Sequence, residues 1–152
     1  MNFLKTSSVL GAVLLILELG SVALFLVCGQ TIFSLLGTVT GGGGEIPVVI
    51  DNEAQVATLT FTFAPRNGGL LAANVGVGFG VTFTDGSYSV KNSTTVYLPP
   101  GEGEEVSLSI KVPLDKLQEY ADANGTLDIY TSIKTLNDIV RLDYNAKTEG
   151  GG

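Results

Sequence analysis

The chain has no histidine, no tryptophan and a single cysteine among its 152 residues. Without imidazole, and with Cys28 alone in an apolar segment, it cannot assemble a thiolate and imidazole site for zinc. The same lack removes every His-based nucleophile. One cysteine forms no intramolecular disulfide, and Cys28 reads as a small packed hydrophobe. The other reading of Cys28, a lipidated lipoprotein cysteine, meets the bulky Val27 where such a signal has a small residue. Positive charge is also scarce. Eight Lys and Arg face fifteen Asp and Glu, for a net charge of −7, and such a surface repels phosphate backbones, so no nucleic-acid partner is expected. Paired carboxylates hydrolyse glycosides without His, but no pair stands out in the pattern. The acids at Glu102, Glu104 and Glu105, and Asp122 with Asn124, lack the alternating oxygen ligands of a calcium loop and read as solvated loop charge. The expectation is a protein without catalysis, cofactor or metal.

What the chain has in abundance is an apolar run. From Val9 to Val39 the only charged residue is Glu18, and at 1.5 Å per residue the run exceeds the ~20 residues of a minimal membrane span. It is also far longer than the ~7–15 apolar residues of a cleaved secretory signal, so an uncleaved hydrophobic helix over residues 1–40 is expected. Lys5 before the run and the acidic remainder after it favour an N-in, C-out orientation. Glu18 has three readings. Either the span is Leu19 to Val39 and Glu18 lies at the headgroup boundary, or Glu18 belongs to a packing stripe, or it serves a proton or ion relay. Ser7, Gly11, Leu14, Glu18, Ser21, Phe25 and Cys28 recur at spacings of three and four, which places them on one helix face. Small residues with a single acid suit close helix–helix contact in an apolar medium, which makes Gly11, Glu18, Ser21 and Cys28 the contact candidates.

The four glycines Gly41, Gly42, Gly43 and Gly44 predict a hinge over 41–45 that decouples the helix from the rest of the chain. Past the hinge the period changes from helical to two. Strands are predicted from "IPVVID", "AQVATLTFTF", "NVGVGFGVTF", "YSVKNSTTVYL", "EEVSLSIKV", "TLDIYTSIKT" and "DIVRLDYNAK", with turns at Asn67-Gly68 and Asp85-Gly86. "PLDKLQEYADANG" is the one helical signal among them. The expected fold is mainly β: a long N-terminal helix, then an immunoglobulin-like antiparallel sandwich of about seven strands over 46–148 with one short helix, then a frayed tail over 149–152. The predicted core is Val56 or a neighbour, Leu59, Phe61, Phe63, Val77, Phe79, Val81, Val96, Leu108, Ile110, Ile129, Ile133, Ile139 and Leu142.

An apolar helix followed by "FAPRNGG", by "LPPGEGEEVSLSIKVP" and then by "LDKLQEYA" and a closing strand pair resembles the LEA type 2, or water-stress and hypersensitive-response, domain. Here Ala64-Pro65 stands where that family has Asn-Pro. The resemblance implies a membrane-anchored binding or protective module without catalysis. The long apolar helix, its small-residue stripe and the glycine hinge also resemble archaeal type IV pilins, although the basic residues that precede a prepilin cleavage point are missing between Lys5 and Gly11. That resemblance implies a filament with helices in its core and Glu18 against a neighbouring helix.

Three other features carry expectations. "GVGFG" at Gly76 to Gly80 lies within a strand, not between a strand and a helix, and so reads as a side-chain-free strip where another chain can approach, with Gly76, Gly78 and Gly80 as assembly candidates. Asn92 and Asn124 fit the N-glycosylation acceptor pattern. The expected partners are membrane lipid or further copies of the chain, with surface glycans as a third candidate. The expected location is a cell membrane with the C-terminal domain outside, or an extracellular filament.

Overall fold

The computed structural model describes residues 3–40, 46–83, 86–119 and 125–149. The hinge over 41–45, Asp85, Asp122, Asn124 and the tail beyond Glu149 lie outside them. The apolar run forms one helix, α1, Phe3–Thr40. It leads into strands β1 Val48–Asp51, β2 Val56–Phe63, β3 Ala73–Phe83, β4 Ser89–Leu98 and β5 Val106–Pro113. The short helix α2, Leu114–Glu119, precedes β6 Gly125–Thr135 and β7 Val140–Glu149. Two antiparallel sheets result, in the orders β1-β2-β5 and β4-β3-β6-β7. This is the expected sandwich of seven strands with one short helix.

Alternation along the strands decides which residues face inward. In β3 the odd positions Val75, Val77, Phe79 and Val81 are buried against Leu59, Phe61 and Phe63 of β2 and Leu108, Ile110 and Val112 of β5. The ring of Phe61 lies 5.8 Å from Phe79 and 6.1 Å from Phe63, within the range of favourable aromatic pairing. On the solvent face of the smaller sheet, Thr60 pairs with Ser109 and Thr62 with Ser107 through hydroxyl hydrogen bonds of 3.0 and 2.9 Å.

Two expectations about the core are corrected. Ile139 is 81% exposed. It sits at the end of the β6–β7 turn, where Leu136, Asn137 and Asp138 all adopt positive φ, and this left-handed run turns the chain before the β7 ladder begins. Leu142 is only half-buried and stands outside the core cluster, whereas Ala57, a neighbour of Val56, faces inward as expected. The larger surprise is the source of part of the core. Leu35 and Val39 of α1 belong to the same buried cluster as the strands, with Ile32 and Leu36 packed against it. The last third of the helix is thus a structural part of the sandwich, not a segment decoupled from it.

Candidate functional site

The helix divides at Val27. Before it, every residue from Gly11 to Leu26 is exposed. After it, Cys28, Thr31, Leu35 and Val39 are buried at spacings of three, four and four, so that one stripe of α1 faces the domain. The docking is not only apolar. Thr31, Ser34 and Thr38 put three hydroxyls along this part of the helix, and the β2–β3 connection runs antiparallel beside them. Arg66 donates its N–H to Thr38 Oγ1 at 3.1 Å, and Leu71 donates its N–H to Thr31 Oγ1 at 3.3 Å. Gly68 lies against Ser34, and Gly69 approaches Thr31 so closely that a Cβ there would overlap its backbone.

Asn67 holds that connection in shape. It is fully buried. Its Nδ2 donates to the carbonyls of Leu71 and Leu98 at 2.7 and 2.9 Å, and its Oδ1 accepts from Gly69 N–H at 3.0 Å. Its backbone N–H donates to Glu102 O and its carbonyl accepts from Gly101. The Asn67-Gly68 pair, expected as a simple turn centre, is in fact the knot where the helix, the β2–β3 connection and the β4–β5 connection meet.

The helix-contact candidates are therefore split. Gly11, Glu18 and Ser21 stand on the exposed half, with Ser21 Oγ donating to Leu17 O at 2.8 Å. Cys28 does not belong with them: it is buried at the start of the docked stripe. The hydroxyl stripe Thr31, Ser34 and Thr38 is absent from the sequence-based expectations, and its three-and-four spacing in an apolar helix is the signal that could have found it.

Docking also relocates the usable apolar stretch. With Cys28 to Val39 committed to the domain, the apolar residues left are Val9 to Leu26, about 27 Å of helix, and Glu18 lies at their midpoint. A span from Leu19 to Val39 would have to include the docked stretch from Cys28 to Val39.

The second candidate region is the outer face of the four-stranded sheet. Strand register sets its rows across β4, β3, β6 and β7. They are Tyr97, Asn74, Lys134 and Arg141; then Thr95, Gly76, Ser132 and Asp143; then Ser93, Gly78, Tyr130 and Asn145; then Lys91, Gly80, Asp128 and Lys147. The three glycines stand in one column and leave a trough one strand wide. Gly78 and Gly80 are buried beneath their neighbours: a Cβ on Gly78 would lie 3.1 Å from Ser93 Cβ, and one on Gly80 would lie 2.5 Å from Val90 O. Gly76 is more open, its nearest neighbour being Thr95 Oγ1 at 3.4 Å.

Along one wall Arg141 Nε donates to Asp143 Oδ1 at 2.9 Å, Arg141 Nη2 donates to Tyr130 Oη at 3.2 Å, and Tyr130 Oη donates to Asp143 Oδ1 at 3.0 Å. The Arg141 hydrogen bond is the main reason that the Asp143 carboxyl is held below its ordinary pKa, and Arg141 is raised in turn. The Ser132 hydroxyl lies near enough to favour the same ionised carboxylate but completes no hydrogen bond. The glycosylation candidate Asn92 is exposed on β4, and its Nδ2 donates to Ser109 O at 2.9 Å, tying the edges of the two sheets together. Among the described residues no group of three His, Cys, Asp or Glu is placed to hold a metal ion.

No protein-family profile matches the sequence, and none of the curated proteins does. Solved structures share the sandwich at a distance. A calcium-binding mutant of Bacteroides uniformis β-glucuronidase 2 is similar at 18% identity and a TM-score of 0.49, over 69% of this chain but only 13% of that one. The ApaA protein from Bordetella pertussis is similar at 17% identity and a TM-score of 0.45, over 70% of this chain and 88% of that one. A protein from Archaeoglobus fulgidus is similar at 13% identity and a TM-score of 0.41, over 71% and 94%. At such identities the likeness concerns the fold alone: a β-sandwich that here comes after an N-terminal hydrophobic helix.

Proposed function

We propose that the protein is a non-catalytic structural subunit of a cell surface, whose free half-helix packs against the same segment of neighbouring copies and displays the β-sandwich outside that bundle. One observation carries this reading. The helix is divided into a docked third and an apolar half exposed on every side, with a carboxylate at the midpoint of the exposed part. In a bilayer a lone acid at that depth is unfavourable by about 3 kcal/mol even on the most lenient scale. In a bundle the same acid finds donors on a neighbouring helix, and Gly11 and Ser21 on its face allow close approach. Rigid attachment of the helix to the domain suits a subunit that must hold its sandwich at a fixed position relative to the bundle. It also calls for retention of the docked third of the helix, because its loss would remove Leu35 and Val39 from the core. A filament like those of archaeal pilins is the fuller form of this proposal.

A second reading, a single-pass anchor carrying a LEA type 2-like binding domain, draws on a different observation. Leu70 is 64% exposed and lies in the connection clamped to Thr31, while Ile139 is exposed at the neighbouring β6–β7 turn. Both are at the end of the domain from which the free helix emerges, where an anchored molecule would meet lipid.

Electron microscopy of material sheared from the native cell surface, labelled with antibody against residues 45–152, separates the two. Labelled filaments are the expected result. Label confined to membrane vesicles, with Glu18→Leu leaving the oligomer content unchanged, would overturn the bundle in favour of the anchor.

A further inference from the structure

The outer face of the four-stranded sheet has features that neither a bundle nor an anchor requires. We infer that the trough over Gly76, Gly78 and Gly80 is a binding site for an extended glycan chain. Two contiguous clefts of about 400 and 380 Å³ lie along it and share Ser93 and Tyr130, each of a size usual for small-molecule sites. Both clefts mix hydroxyl, amide and charged groups with apolar surface, and a polyol can replace the water on Asn74, Ser93, Thr95 and Asn145 with hydrogen bonds of its own.

Three details make this a built surface. First, Tyr130 stands between the clefts, 37% exposed, with its hydroxyl fixed from two sides by Asp143 and Arg141. A ring so held offers an amphipathic face to a pyranose without losing rotamer freedom on binding. Second, Ser132, 5% exposed, borders the first cleft with its hydroxyl buried on the side of Asp143, so the wall that carries Tyr130 is packed beneath its surface. Third, the absence of side chains at Gly76, Gly78 and Gly80 gives a narrow floor about 13 Å long, suited to a short linear chain rather than a single ring.

The charges fit an uncharged or weakly acidic sugar. Lys91, Lys134, Arg141 and Lys147 line the clefts, half of the eight cations in a chain of net charge −7. Asp143 pairs with Arg141, Asp138 with Lys134 and Asp128 with Lys147. The face is nearly neutral while the rest of the molecule is acidic. A protein partner fits less well, because the trough lacks the apolar centre on which stable protein interfaces depend.

The test uses the full chain in detergent on an array of neutral and uronic-acid-containing oligosaccharides, with saturation-transfer NMR on the sugars retained. At least one linear oligosaccharide is expected to bind, with a tenfold or greater loss in Tyr130→Ala. Gly76→Ala adds a methyl at ordinary contact distance and is expected to weaken binding with an unchanged melting temperature. Binding to no sugar on the array would overturn the inference, as would binding indifferent to Tyr130→Ala. Protection of Tyr130 and Ser132 by a second copy of the chain, seen in hydrogen exchange of the oligomer, would overturn it too. The sugar-binding outcomes do not depend on how the helix is used.

Discussion

Asn67 shows how much one side chain can organise. All four of its amide hydrogen-bonding positions matter because none reaches water, and three are used within the protein. Asn67→Ala leaves the carbonyls of Leu71 and Leu98 and the N–H of Gly69 without their partner. Loss of about 2–4 kcal/mol is expected from such unsatisfied buried groups, checked by urea unfolding in detergent. Gly101 supports the same knot: it holds φ at +82°, a region that a Cβ disfavours, while donating to Asn67 O. At the opposite extreme of burial, the Asp143 carboxyl is exposed, and its folded pKa is depressed chiefly by Arg141. Its contribution is therefore present above the unfolded pKa and is lost as pH falls through the lower folded value. Asp143→Asn should melt slightly below the parent at neutral pH, and the gap should close in acid. Melting curves across that range test the sign.

At the scale of elements, α1 is two helices in one. Its apolar composition is nearly uniform, and the domain alone picks out which face of the last third is buried. Leu35 is fully buried among strand residues, so Leu35→Ala is expected to destabilise the sandwich by about 2–5 kcal/mol. Phe33, two residues away and 75% exposed, should tolerate alanine within about 0.5 kcal/mol. Similar losses at both positions in thermal melts would show that the helix does not dock as described. The strands are legible in the sequence because alternation is a local signal: β2 and β5 bury every second residue as their patterns indicate, and β3 does so with Gly78 and Gly80 buried as well. Ile139 defeats the same signal, because an apolar residue beside a strand looks alike whether the ladder includes it or begins one residue later.

For the whole molecule the decisive cut lies between Leu26 and Val27. A chain beginning at Val27 keeps the docked stripe and should fold as a soluble monomer by size-exclusion chromatography with the parent's melting temperature. A chain beginning at Glu45 loses Leu35 and Val39 and exposes the pocket they fill, so it should melt well below the parent or aggregate. Equal stability of the two would mean that α1 contributes nothing to the core. Glu18 belongs to this scale as well, since it stands on a half-helix exposed on all sides and meets its surroundings only through other molecules. Glu18→Gln, which keeps hydrogen-bonding capacity, should preserve assembly better than Glu18→Leu, as measured by cross-linking in native membranes.

Composition and period alone determined that the chain has a long apolar helix, seven strands and no imidazole chemistry, because these depend on residues near one another in sequence. Tertiary structure decided the rest. It took a third of the helix into the sandwich, removed Cys28 from the contact stripe and left Glu18 at the centre of what remained. It also placed Tyr130, Ser132, Asp143 and Arg141 of one hairpin beside three glycines fifty residues away. Those placements arise from strand register and from which apolar surfaces remain uncovered after the sheets have paired, and neither quantity is written in any short stretch of the chain.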